Sequence, residues 1–216
     1  MADIQDIDFL VHPGDAPSKR EIVRVALTLF VRDGLCAASL RDIAAASAYS
    51  STVLYKFFES KEALARYLFE GCYGLVAGRL RAAIKPECGF HANLRSLVEV
   101  SGGLLATQSE AVLYVSEQVR LMWPGVAERL RPHSVVRLLT GLFQQGVDEG
   151  VIGDAREIPY LIAVLVGSFS QYAKLRYFGE FSGVPREDAA FLGRIVERLV
   201  AGDGAAGSTE PPPKAQ

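Results

Sequence analysis

A chain of 216 residues, half of them apolar, can bury one large core or two modest ones, which excludes a wholly disordered protein. A formal net charge of -2 excludes a strongly basic chain that would hold nucleic acid by bulk charge alone. The charge is uneven, however: residues 1–17 carry four acids (Asp3, Asp6, Asp8, Asp15) and no base, whereas residues 18–62 carry seven bases against five acids.

Residues 1–17 contain Pro13, Gly14 and Pro17 and show no sustained period, so they read as a flexible arm. Residues 202–216, built of small residues and prolines, read as a disordered tail. Between them nearly everything repeats at helical spacing, with no alternation long enough for a strand and no internal repeat. The expected fold is all-α, about nine helices, with a helix-turn-helix domain over 18–64 and a helical domain over 65–201.

Ser18 followed by Glu21 has the form of a capping box, and Ile22, Val25, Ala26, Leu29 and Phe30 form one apolar face as far as Gly34. Ser39 with Asp42 repeats the box before a short second helix that ends near Ala46. Ser47, Ala48 and Tyr49 make a three-residue turn, and Ser50 is an N-cap for a third helix running to about Phe57. Two short helices across such a turn, braced by a longer one, are the layout of a DNA-binding helix-turn-helix.

At about 100° per residue, Val53, Leu54, Phe57 and Phe58 share one side of the third helix, while Ser51, Thr52, Tyr55 and Lys56 share the other. Hydroxyls, a phenol and an amine can bond phosphates and base edges. Arg41, Ser50, Ser51, Thr52, Tyr55, Lys56 and Lys61 are therefore the DNA-binding candidates. Ser60 caps a fourth helix, which continues to Ile84 with Gly71, Gly74 and Gly78 spaced for close approach to a neighbour.

With Ala26, Phe30, Gly34, Ser39, Ile43, Ala44, Ser50, Leu54, Tyr55, Phe58 and the run Ser60 to Leu64 in place, the stretch from Arg20 to Leu64 resembles the DNA-binding domain of the TetR family of regulators. The resemblance implies a homodimer whose third helices enter successive major grooves, with Tyr55 and Lys61 touching phosphate. It implies a cytoplasmic repressor released from a double-stranded operator by a small-molecule effector. Three positions depart from the family pattern. Ala48 stands where the turn usually has glycine, and Ser51 and Thr52 replace the usual basic or polar residue and the usual small one, which leaves Lys56 as the only charge on the reading face.

Further helices are expected over 94–105, 111–122, 132–149, 158–178 and 189–200. The last two are the expected dimer contact: Tyr160 to Val166 is apolar on nearly every side, and Phe191, Leu192, Ile195, Val196 and Leu199 form a stripe. Tyr114, Gln118, Trp123, Phe143, Gln144 and Tyr172 are the expected lining of an effector site, for a ligand that is uncharged and largely apolar.

Three cysteines form no CxxC pair, and His12, His91 and His133 are scattered, so no metal site, cofactor or catalytic motif is expected. The chain has no signal pattern, and its longest apolar run, 159–167, is far short of the ~20 residues of a membrane span. The rival to a regulator is a helical protein-interaction module that keeps the fold without binding an operator.

Overall fold

In a computed structural model that describes residues 7–126 and 130–200, the chain folds into nine α-helices among those residues. They are α1 (Pro17–Asp33), α2 (Leu40–Ala46), α3 (Ser51–Tyr55), α4 (Lys61–Ala83), α5 (Phe90–Thr107), α6 (Ser109–Met122), α7 (Val135–Asp148), α8 (Ile158–Tyr177) and α9 (Pro185–Val200). Short 3₁₀ turns punctuate them, and no strand occurs among the described residues. The expected tail, 202–216, lies outside the described residues.

Helix starts follow local chemistry in three of the four N-terminal cases. Ser39 accepts the Asp42 N–H while Asp42 accepts the Ser39 N–H, a complete capping box for α2. Ser50 accepts from Val53 N–H and Ser60 from Ala63 N–H, capping α3 and α4. The expected box at the start of α1 does not form. Pro17 occupies the first turn behind Ala16, which makes no side-chain cap, and Glu21 pairs with Arg24 instead.

Residues 7–11 of the arm are packed, in contrast to the flexible reading. Ile7, Leu10 and Val11 are buried, and a 3₁₀ turn over Asp8–Leu10 brings them against α4. There the Tyr67 hydroxyl donates to the Leu10 carbonyl, and a Cβ at Gly71 would run into the Leu10 side chain. Asp8 pairs with Arg20, and Asp15 lies 2.9 Å from Lys19, so the arm's acids meet the first bases of α1. The apolar spacing of 7, 10 and 11 was hidden among prolines and glycine.

Two hydrophobic clusters organise the chain. One gathers the arm, α1 to α4, α6 and the last turns of α8 around Phe30, Leu54, Leu68, Phe69 and Tyr114. The other gathers the far end of α4 with α5, α7, α8 and α9 around Phe90, Leu94, Phe143 and Val196. The α5 and α9 pair is the most intimate. A Cβ at Gly102 would stand 2.7 Å from the Ala189 methyl, and one at Gly193 would stand 2.6 Å from Val98. Gly74 and Gly78, expected to permit close approach, face open space; Gly71 alone of that trio is used.

The segment Ala155–Tyr177 is long and apolar enough to cross a membrane by length and composition, although its longest apolar run is short. It packs against α6, α7 and α9 on one side. On the rest of its surface Tyr160, Val164 and Val166 stay exposed.

The turn between α2 and α3 carries strain. Ala48 adopts φ 58°, a left-handed conformation that glycine takes without penalty, and its methyl is exposed. Ala48→Gly is expected to raise the unfolding free energy by about 1 kcal/mol, read as a higher denaturant midpoint at unchanged slope. A lower midpoint would show that the backbone there is relaxed.

Candidate DNA-binding surface and ligand cavity

α3 is held from below and open above. Leu54 is fully buried and Phe58 nearly so, while Val53 and Phe57 pack against the same cluster. Thr52, Tyr55 and Lys56 are exposed, and Ser51 is half-buried beside them. The helix closes at Tyr55, earlier than the expected Phe57. Lys56 is its C-cap, and Phe57 and Phe58 both donate backbone N–H groups to Leu54 O. Ser50 is exposed, with its oxygen engaged as the N-cap. Arg41 projects from α2 and is exposed.

Ion pairing sorts the seven bases of this domain. Lys19, Arg20, Arg24 and Arg32 pair with Asp15, Asp8, Glu21 and Asp33. Lys61 is also occupied: its Nζ donates to the carbonyls of Leu35 at 2.9 Å, Ala38 at 3.2 Å and Cys36 at 3.4 Å, tying the start of α4 to the loop after α1. The residue expected as a phosphate clamp thus has its ammonium engaged with backbone carbonyls. Among the described residues, Arg41 and Lys56 are the two bases of the domain with neither an ion pair nor a hydrogen-bond partner of this kind, and both are exposed.

The two halves of the chain are joined by α6. Tyr114 is fully buried, donates its hydroxyl to Ala65 O of α4 at 3.0 Å and stacks on Phe30 of α1 with ring centroids 6.2 Å apart. Burial pushes its phenol, and the neighbouring Cys72 thiol, well above their ordinary pKa values. Glu110, one turn earlier, accepts from the Thr28 hydroxyl of α1 at 3.1 Å. Burial pushes its carboxyl up, against the opposing pull of Thr28 and Arg24.

A cavity of about 230 Å³ lies between α4, α5, α6, α7 and α8. Tyr73, Val76 and Leu80 of α4 form one wall, with Leu97, Ser101 and Leu104 of α5 and Val115, Ser116 and Val119 of α6 beside it. Leu139 of α7 and Leu165, Phe169 and Ser170 of α8 close the rest. A larger groove of about 640 Å³ between α5 and α9 is wide open and rimmed by His91, Arg95, Arg194 and Arg198.

None of the six expected effector residues lines the cavity between α4 and α8. Tyr114 is the interdomain joint, and Phe143 packs on Phe90 in the second cluster. Gln144 is exposed and bonds Asp148, and Tyr172 donates to Asp188 at 2.6 Å. Gln118 is half-buried on α6 away from the lining. Trp123 stands one layer behind the wall, its ring 5.2 Å from Tyr73. The signal that could have found the cavity is the pair Ser101 and Ser116, small hydroxyls set among the apolar positions of α5 and α6. No group of three or more His, Cys, Asp or Glu among the described residues could hold a metal ion.

Residues 22–68 match the family model described as bacterial regulatory proteins, tetR family. Over those residues the chain is similar to the DNA-binding domain of the TetR family. It is 30% identical over 107 residues to the HTH-type transcriptional repressor KstR2 of Rhodococcus jostii strain RHA1, a match covering 50% of this chain. That match spans about half of the relative's length, 52%. Among solved structures, the ketosteroid transcriptional regulator KstR2 of Mycobacterium tuberculosis is similar with a TM-score of 0.70 at 19% identity, over 85% of this chain and 95% of that one. The regulator FadR of Bacillus subtilis, solved with stearoyl-CoA, is similar with a TM-score of 0.67 at 15% identity, over 82% of this chain and 97% of that one. These likenesses extend the TetR-type fold through the C-terminal helices.

Lys61→Ala is expected to lower stability by about 1–3 kcal/mol, because three carbonyls lose a charged donor. It should leave the salt dependence of DNA binding unchanged. A salt slope reduced by about 1 with unaltered stability would restore Lys61 as a phosphate contact.

Proposed function

We propose that this chain is a member of the TetR family, a homodimeric transcriptional repressor of the cytoplasm. It binds a double-stranded operator through α3 and is released when a small molecule enters the cavity beside α4. The observation that carries the DNA reading is the distribution of free charge. Five of the seven bases in residues 18–62 are engaged within the protein, and the remaining two, Arg41 of α2 and Lys56 at the end of α3, are exposed on the helix-turn-helix, as are Thr52 and Tyr55. A dimer doubles each phosphate contact, which compensates for the low overall charge. Ser51, Thr52 and Tyr55 supply neutral hydrogen-bonding groups for base edges and phosphates.

Dimerisation through α8 and α9 is supported by the apolar surface that a single chain leaves bare. Tyr160 is 74% exposed, Phe191 54% and Leu199 52%. A two-fold pairing of these helices would cover them in a four-helix contact and set two α3 helices one turn of DNA apart. Release by a ligand is supported by shared structure, since the α4 that walls the cavity at Tyr73 and Val76 also begins inside the DNA-binding domain. That KstR2 is named a repressor and FadR was solved with stearoyl-CoA supports both halves of the reading.

The test is selection of bound fragments from a random DNA pool by the purified protein, beside the Tyr55→Ala, Lys56→Ala double variant. Enrichment of a palindrome by the native chain alone is expected. Equal enrichment by the variant would remove α3 as the reading helix. Absence of enrichment at every low salt concentration tried would favour the protein-interaction module.

A further inference from the structure

Resting on the reading of the cavity as the effector site, we propose that it selects an uncharged, mostly apolar molecule bearing a hydrogen-bond donor, such as a hydroxyl group, and turns away carboxylates. The lining contains no Asp, Glu, Lys, Arg or His. An anion seated against this apolar lining would give up part of its water with no opposite charge to replace it, so a free carboxylate is disfavoured.

Three serines line the space, and two of them are already committed on one side, whereas Ser170 of α8 keeps its hydroxyl proton for a guest. The Ser101 hydroxyl donates to Leu97 O at 2.8 Å and the Ser116 hydroxyl donates to Leu113 O at 2.9 Å, each within its own helix. A hydroxyl has one proton and two lone pairs, so each of these two oxygens keeps only acceptor capacity for a guest. Tyr73 presents its ring, because its oxygen is turned to α7, where it accepts from Val135 N–H at 2.9 Å and meets the Ser134 side chain. Ser101 and Ser116 lie on consecutive helices of the same wall. A guest that donates would satisfy them. A guest that only accepts, such as an ester, can take a bond from Ser170, but at Ser101 or Ser116 it would have to break an intrahelical bond to gain one, with no net increase in hydrogen bonds there.

The chain has a single tryptophan, and Trp123 sits 5.2 Å from the Tyr73 ring, so its fluorescence reports on the cavity. The full-length protein would be titrated with 1-decanol, methyl decanoate and decanoate at pH 7, with calorimetry as a second readout. Decanol should bind about threefold or more tighter than the ester, the ratio expected for one neutral hydrogen bond, and more than about tenfold tighter than decanoate. In the Ser101→Ala, Ser116→Ala double variant the preference over the ester should vanish while ester affinity stays the same. Binding of decanoate or the ester as tight as that of decanol in the native protein would overturn the proposal and leave the effector-site reading standing, as would a preference that survives in the variant. No binding of any of the three would overturn the effector-site reading itself.

Discussion

α4 runs from one hydrophobic core into the other, and the rest of the molecule depends on that constraint. The first half of α4 buries Leu64, Leu68, Phe69 and Cys72 among the residues of the DNA-binding domain, while Leu80 near its end packs with α5, α7 and α8. Close-packed interiors shift between discrete arrangements more readily than they deform continuously, so a displacement at the Tyr73 and Val76 wall would, in the proposed mechanism, be carried along the helix to its start. Three contacts fix that start: Lys61 on the carbonyls after α1, the Tyr114 hydroxyl on Ala65 O, and the arm seated in the notch at Gly71. Tyr114 and Glu110 bind α1 to α6 as well, so the DNA-binding domain is braced from two directions.

Charge is arranged with the same economy. An acidic arm beside a basic helix could have left both free; instead Asp8 and Asp15 neutralise Arg20 and Lys19, and α1 resolves its remaining bases locally. What survives for a polyanion is small and placed at the helix-turn-helix. Affinity for DNA would then rest on few phosphate contacts and on a correctly spaced dimer, and selectivity on the neutral side chains of α3.

The sequence was legible where the determinant was local. Ser39, Ser50 and Ser60 cap the helices they were expected to cap, and Ala48 takes the left-handed conformation that its place in the turn demanded. It was misread where two local signals competed, as at Pro17 against Ser18, or where a partner lay far along the chain. The arm's burial depends on Gly71, and the tight α5 and α9 contact depends on Gly102 and Gly193, neither of which a helical period reveals. The cavity was the least legible feature, because a void is made by ordinary aliphatic side chains that fail to meet. Residues chosen for their chemistry, Tyr114 and Tyr172 among them, already satisfy it inside the protein.

The central claim is that operator and ligand compete through α4, and linkage makes it directly measurable: a ligand that weakens operator binding by some factor must itself bind the operator complex more weakly by the same factor. The decisive measurement is the affinity of decanol for the free protein and for the protein bound to its selected operator. The account predicts weaker binding to the complex, by a factor equal to the loss of operator affinity that decanol causes. Equal affinity for the two forms would contradict it.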